Sequence, residues 1–143
     1  MTQQPIDAVL ARTRRIAVVG LSSNPWRSSH DVAADLQRRG YEIVPVNPNE
    51  DEVLGEKAWP SLADVPGEVD LVDVFRREEH LADVARDAAA IGAPALWNQL
   101  GLRSAAARRI AEEAGMDYVE DACLKVEVAR RGATPAEAQG THH

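Results

Sequence analysis

Runs of consecutive apolar residues alternate along the chain with segments whose apolar residues recur every three or four positions. The runs predict strands at 16–20 (IAVVG), 41–46 (YEIVPV), 69–75 (VDLVDVF) and 93–99 (APALWNQ), with a short fifth strand at 117–120 (DYVE). Such alternation is typical of parallel strands joined by crossover helices. The pattern therefore predicts a doubly wound α/β fold with a mainly parallel sheet of about five strands and helices on both faces.

Start and stop residues delimit the helices between these strands. A helix is expected from an N-cap at Ser28 or Ser29 to Gly40, and another from a Ser104 cap to Gly115. The remaining segments are helical at 78–91 before Gly92, a last helical turn or two at 122–130, and a connection at 48–66 with a brief strand near Ala58 and Trp59.

The length of 143 residues suits a single domain. We expect residues 1–13 to form an N-terminal helix or arm, residues 14–130 the domain, and residues 131–143 a flexible tail rich in small residues. The last two residues of that tail are histidines, and the sequence leaves open whether they are natural.

Charge and hydropathy exclude several classes of partner. A net charge of −7 disfavours generic binding to nucleic acid or to an anionic membrane. No segment approaches the roughly 18 apolar residues of a membrane-spanning helix, and we expect no membrane association. One cysteine, Cys123, excludes an internal disulfide and a thiolate metal cluster, which suits a reducing, cytoplasmic location.

Four loops follow the predicted strands, at 20–29, 46–49, 75–78 and 97–104, and ligands of open parallel sheets bind at this edge. The first loop has Gly20, then the donors Ser22, Ser23 and Asn24, then Arg27 before a helix start. Backbone amides of a helix start and a guanidinium together suit a phosphate. A dinucleotide fingerprint needs three glycines and this loop has one, so a plain capped turn remains open.

The other three loops carry weaker signals. The second strand ends in Val46, Asn47 and Pro48 where an NAD site places an acid, and Glu50 and Asp51 come only later, beyond the proline. Pro45, Val46 and Pro48 could still form a wall for adenine. A rigid turn without ligand is the alternative. Loops three and four offer polar and aromatic side chains that could equally serve core packing or helix capping: Phe75, Arg76, Arg77, Trp97, Asn98 and Gln99.

Taken together, the motifs resemble a known family. They are VVGLSSNPWRSSHDVAADLQRRGYEIVPVNPN, LGEKAWPSLADVP, VDLVDVFRR, LWNQLGL and EDACLKVE, which span roughly residues 14 to 130. This ordered set is similar to the small stand-alone CoA-binding proteins, which are related to the CoA-binding domain of the succinyl-CoA synthetase alpha subunit. The resemblance implies a Rossmann-like domain that holds the adenosine diphosphate part of CoA over the strand ends.

The resemblance also implies roles for particular residues. It places Gly20, Ser22, Ser23, Asn24 and Arg27 around the phosphates, and Val46, Asn47 and Pro48 beside the adenine. It assigns Phe75, Arg76 and Arg77 to the loop that faces these residues across the ligand. It puts Trp97 and Gln99 near the pantetheine arm of CoA. The chain lacks room for the further domain that carries the phosphohistidine of the synthetase, and it lacks the ATP-grasp partner.

These observations favour a non-catalytic protein that binds coenzyme A or acyl-CoA, with no catalytic set and no metal site. An NAD(P)-dependent oxidoreductase and a scaffold or regulatory interaction protein are the alternatives, and a homodimer or an unidentified protein partner stays open. Asp121, Cys123 and Lys125 cluster after the last strand. Core packing is the expected role of Cys123, and a mixed disulfide between Cys123 and CoA under oxidation is the sharper hypothesis.

Overall fold

A computed structural model describes residues 4–137 of the chain. Its centre is a five-stranded, fully parallel sheet with the strand order β2-β1-β5-β6-β7. A two-stranded antiparallel hairpin lies outside it. The strands are β1 Arg15–Val19, β2 Glu42–Val46, β3 Glu52–Val53, β4 Glu56–Lys57, β5 Leu71–Val74, β6 Ala95–Asn98 and β7 Asp117–Val119.

Helices cover both faces of the sheet. They are α1 Ile6–Ala11, α2 Ser28–Arg38, α3 Leu81–Ala90, α4 Ala105–Glu113 and α5 Leu124–Arg131. Apolar residues of α1, α2 and α5 form one buried cluster with one face of the sheet, and those of α3 and α4 form a second cluster with the other face. Strands buried on both faces are apolar at nearly every position, and this explains the uninterrupted runs in the sequence. The predicted Rossmann-like, doubly wound α/β fold is confirmed.

The strand order places a topological switch between β1 and β5, the point from which the crossover connections run in opposite directions. Ligands of such sheets bind beyond the carboxyl ends of the strands that flank this point. Residues after Val19 and Val74 therefore form the centre of the candidate site. The first of them are Gly20 and Phe75.

One local prediction was wrong and two are confirmed. Arg27, not a serine, stands at the N-cap of α2 without a side-chain cap, and the Ser29 hydroxyl accepts a hydrogen bond from the Ser22 amide instead. The brief strand expected near Ala58 and Trp59 corresponds to β4, which ends at Lys57, and to the bridge that Trp59 forms with Val46; β4 pairs with β3 in a hairpin. At α4 the Ser104 hydroxyl caps the helix as predicted, by accepting from the Ala107 amide at 3.0 Å.

The predicted tail begins inside α5 and continues, at residues 138–143, outside the described residues, so the two terminal histidines lie there as well. The described part packs back on the domain, where the Ala136 amide donates to the Thr13 carbonyl at 2.9 Å. No helix within residues 4–137 has the length and apolar character needed to cross a membrane. Nor do His, Cys, Asp and Glu side chains of that range gather in a metal-binding group.

Candidate functional site

A cavity of about 870 Å³ opens at the carboxyl ends of the central strands. It runs from Asn47 and Asn49, after β2, past Gly20 to Gln99 and Leu100, after β6. A second lobe of about 490 Å³ extends toward the connection after β2. Both lobes share the residues Gly20, Arg27, Asn47, Asn49, Phe75, Arg76 and Arg77. The two lobes therefore form one groove over the topological switch.

Gly20 determines the shape of the groove floor. The Gly20 amide donates to the Val46 carbonyl, and the Phe75 amide donates to the Val19 carbonyl, both at 2.8 Å. Gly20 has φ +88°, and a Cβ at this position would lie 2.2 Å from the Phe75 carbonyl oxygen. Only glycine permits this approach, and the approach brings the loop after β1 against the loop that carries Arg76 and Arg77.

Three arginines of the groove have no acidic partner. Most arginines of the chain pair with a carboxylate, whereas Arg27, Arg76, Arg77 and the exposed Arg109 form no ion pair with any residue in the 4–137 range. Of these four, Arg27, Arg76 and Arg77 line both lobes of the groove. Arginines that neither pair nor bond are free to bind an anion with charge-assisted hydrogen bonds. The predicted alternative, that Arg76 and Arg77 pair with acids of the following helix, is wrong.

The backbone amides after Gly20 are mostly occupied by the loop's own side chains. The Ser22 amide donates to Ser29 Oγ, the Asn24 amide to Ser22 Oγ, and the Trp26 amide to Asn24 Oδ1. The amides of Ser28 and Ser29, in the first turn of α2, have no partner among the described residues. An anion in the groove would therefore meet the start of α2 and the three arginines rather than the loop amides.

Glu50 brings a carboxylate into the groove that the sequence reasoning set aside. Glu50 lines the larger lobe, and its Oε2 accepts a hydrogen bond from the Ser23 amide at 2.8 Å. It lies beyond Pro48 and not at the end of β2, so the position that an NAD site reserves for an acid remains without one. The Glu50 carboxylate occupies the Ser23 amide and would repel an anion there, which leaves the arginines as the site that an anion would meet.

The smaller lobe lies near the end of β2 and has one apolar wall among polar and charged side chains. Val46, Pro48, Pro60, Leu62 and Val84 line it together with arginine stems. Asn47 links this lobe to the loop after β1, because its Nδ2 donates to the Leu21 carbonyl at 3.0 Å while its Oδ1 accepts from the Asn49 amide. Pro45, predicted as part of the wall, lies buried inside β2 and does not line it.

The structure brings together most of the residues named from the sequence. Those that line the groove are Gly20, Ser22, Arg27, Val46, Asn47, Pro48, Phe75, Arg76, Arg77 and Gln99. Ser23, Asn24 and Trp97 do not line it. Trp97 lies one pleat below Gln99 in the core, fully buried, with its Nε1 donating to the Ala122 carbonyl at 2.8 Å.

Two apolar residues at the rim were missed. Trp26 is 94% exposed and Leu100 is 69% exposed, and both line the larger lobe. The tryptophan that reaches the groove is thus Trp26 and not Trp97. Loop residues give no hydrophobic periodicity, so the sequence offered no signal beyond the position of Trp26 in the first loop.

Asp73 lies directly below the groove floor, one pleat before Phe75 on β5. It is fully buried, and neither of its oxygens has a well-formed hydrogen bond with another described residue. Burial raises the pKa of Asp73 well above its ordinary value of 3.8, and the Val74 amide offsets only part of that rise. The side chain is therefore a neutral acid over a range of pH in which it ionises in the unfolded chain.

We expect Asp73→Asn to change the pH dependence of stability. Between pH 3.8 and the raised pKa of Asp73, the folded chain keeps a proton that the unfolded chain loses. The free energy of unfolding of the wild type therefore falls by about 1.4 kcal/mol per pH unit from this group. Asp73→Asn has no carboxyl group at this position, so its free energy of unfolding does not fall for this reason. Its stability relative to the wild type should therefore rise with pH.

Urea unfolding at steps from pH 5 to pH 8 measures this difference. Asp51→Asn is the matched control, because Asp51 is exposed and its side chain makes no hydrogen bond with a described residue. Stability curves for wild type and Asp73→Asn that stay parallel over this range would show that Asp73 does not carry its proton into the folded state.

Comparison with known proteins agrees with the fold. A solved structure of a hypothetical protein from Pyrococcus horikoshii OT3 superposes with a TM-score of 0.85 at 33% identity, over 91% of this chain and 96% of that one. The uncharacterized protein YneT of Bacillus subtilis (strain 168) is 47% identical over 121 residues, 85% of this chain and 90% of that protein.

A more distant match carries a functional name. The alpha subunit of ADP-forming acetate–CoA ligase II from Pyrococcus furiosus is 44% identical over 59 residues, which are 41% of this chain and 13% of that subunit. The family model for the CoA binding domain matches residues 14–129, most of the described chain. The resemblance inferred from the motifs is thereby confirmed, and the chain belongs to the CoA binding domain family.

Proposed function

We propose that this chain binds coenzyme A or an acyl-CoA without catalysing a reaction on it, through the unit formed by residues 14–130. The observation that carries the proposal is the set of unpaired arginines, Arg27, Arg76 and Arg77, that line one groove over the topological switch. A nucleotide that carries several phosphates would supply the anionic partners that these guanidinium groups do not find among the described residues.

The groove also has a direction that suits such a ligand. The apolar wall of the smaller lobe, beside Val46 and Pro48, suits the adenine, and the arginines beside Gly20 suit the phosphates. The larger lobe continues toward Gln99 and Leu100, where an extended pantetheine arm would lie. We propose no catalytic step, because within the described part of the groove Glu50 is the one carboxylate of the larger lobe and it is already bonded to an amide.

Calorimetry with CoA tests the proposal directly. We expect saturable binding by the wild type, and Arg27→Ala should bind CoA about 1–3 kcal/mol more weakly because it loses charge-assisted hydrogen bonds to phosphate. The control is Arg109→Ala, since Arg109 is likewise exposed and unpaired but does not line the groove. No heat of binding with CoA or acetyl-CoA at millimolar ligand, or binding of NADH in their place, would reject the proposal.

A further inference from the structure

Cys123 forms part of the same groove. It precedes α5, is partly exposed, and lines the larger lobe together with Gln99, Leu100 and Arg27. The sheet order puts the adenine lobe at the end of β2 and this thiol near the end of β6, three strands away. At about 4.8 Å per strand the separation is about 14 Å, so the two lie toward opposite ends of the groove.

A second observation at this end of the groove indicates a ligand. Gln99 is 5% exposed and lines the lobe, and its Oε1 accepts from the Leu124 amide at 3.1 Å. Because an amide proton can bond only to the oxygen, this bond fixes which way the side chain faces. Gln99 Nε2 then has no partner among the described residues, yet it is not fully enclosed by protein atoms. The side chain is buried and fixed, and its one free donor faces the cavity, where an acceptor of a bound molecule can take the hydrogen bond.

The same hydrogen bond positions the cysteine. Leu124 follows Cys123 directly, so the bond from its amide to Gln99 ties the turn that carries the thiol to the end of β6. Cys123 also packs against the buried cluster formed with α2 and α5. The thiol is therefore held in the wall beside the free Gln99 donor rather than on a mobile segment.

We propose that Cys123 is a thiol–disulfide exchange site for the sulfur end of a CoA-type ligand. The inference rests on the proposed function, because the nucleotide part of the ligand must occupy the arginine end of the groove for its sulfur to reach Cys123. An acceptor on the ligand arm next to that sulfur would take the Gln99 Nε2 hydrogen bond.

The step is an exchange and needs no separate oxidant. The Cys123 thiol releases its proton to solvent, and the thiolate attacks one sulfur of a CoA disulfide. A new S–S bond joins Cys123 to one CoA while the original S–S bond breaks. The second CoA leaves as a thiolate and takes up a proton, so one disulfide replaces another and the count of electrons is unchanged.

The test is intact-mass spectrometry of the full chain after incubation with CoA disulfide. We expect one adduct, heavier than the protein by one CoA less two hydrogen atoms, that maps to Cys123 and is released by dithiothreitol. Glutathione disulfide should react more slowly by about tenfold or more, because binding of the nucleotide raises the effective concentration of the CoA sulfur at the thiol. Arg27→Gln should reduce this preference, and Arg109→Gln should leave it unchanged.

Other outcomes separate this inference from the proposed function. If Cys123→Ser binds CoA in calorimetry while the wild type forms no adduct, or reacts equally fast with both disulfides, the exchange site is wrong and the proposed function stands. If neither wild type nor Cys123→Ser binds CoA, both are wrong. Gln99→Leu tests the positioning: it should slow adduct formation with CoA disulfide and leave the rate with glutathione disulfide unchanged, whereas an equal loss of both rates would mean that Gln99 only supports the fold.

Discussion

Replacing Gly20 with alanine is expected to destabilise the fold by about 2–5 kcal/mol. An alanine at position 20 would have to keep a left-handed backbone conformation, which costs about 1–2 kcal/mol. Its Cβ would also lie 2.2 Å from the backbone oxygen of Phe75. That contact involves main-chain atoms of two neighbouring strand ends, so relieving it shifts β1 or β5 at a further cost of about 1–3 kcal/mol. The change acts at the centre of the groove, and binding should be lost with it.

Gly92→Ala separates the two causes. Gly92 also has a positive φ, +72°, but a Cβ there meets nothing within 4 Å. It should therefore cost only the conformational part, about 1–2 kcal/mol. Chemical unfolding of the wild type and the two variants measures the difference. If Gly20→Ala is no less stable than Gly92→Ala, the loop after β1 is free to move away from Phe75 and the tight floor described above is wrong.

Replacing Arg27, Arg76 and Arg77 together with glutamine is expected to lower CoA affinity by about a thousandfold or more. A hydrogen bond to a charged group contributes about 1.5–3 kcal/mol, and about 4 kcal/mol of lost binding free energy is a thousandfold change. The three side chains form no ion pair or hydrogen bond with other described residues, so their replacement by glutamine removes no polar interaction of the folded chain. Calorimetry or competition binding measures the loss.

The control for this triple variant is Arg109→Gln, which removes an exposed, unpaired arginine outside the groove. It should bind CoA as the wild type does. Circular dichroism should show that the triple variant is folded. A triple variant that retains CoA affinity within about tenfold of the wild type would mean that the phosphates bind elsewhere.

The sequence was sufficient to predict the fold because strands and helices leave periodic signals. Every strand of the main sheet was predicted within two residues of its observed ends, since buried parallel strands are apolar at nearly every position. A brief strand was expected close to β4, but its partner β3 and their pairing were missed, because a strand of two residues, Glu52–Val53, is too short to show a pattern.

The site was predictable only in part, because side-chain direction in loops is set by tertiary contacts. The arginines were named correctly as groove residues, but their lack of acidic partners depends on where every carboxylate lies in space. Trp97 was predicted to contact the ligand because it stands near the end of a strand. In the structure it lies within β6, two residues before Gln99, and its side chain is fully buried in the core. Glu50 was dismissed for its distance along the chain, although the loop after Pro48 returns it to the Ser23 amide.

The crowding of positive charge around Gly20 has a consequence for the lifetime of the chain. Guanidinium groups that form no ion pair repel one another, and a polyanion bound between them would offset that repulsion. By mass action, a ligand that binds only the native form makes unfolding rarer in proportion to its occupancy. Under the proposed function, cellular turnover of this chain should therefore track the supply of CoA, with cells depleted of CoA degrading it sooner than replete ones.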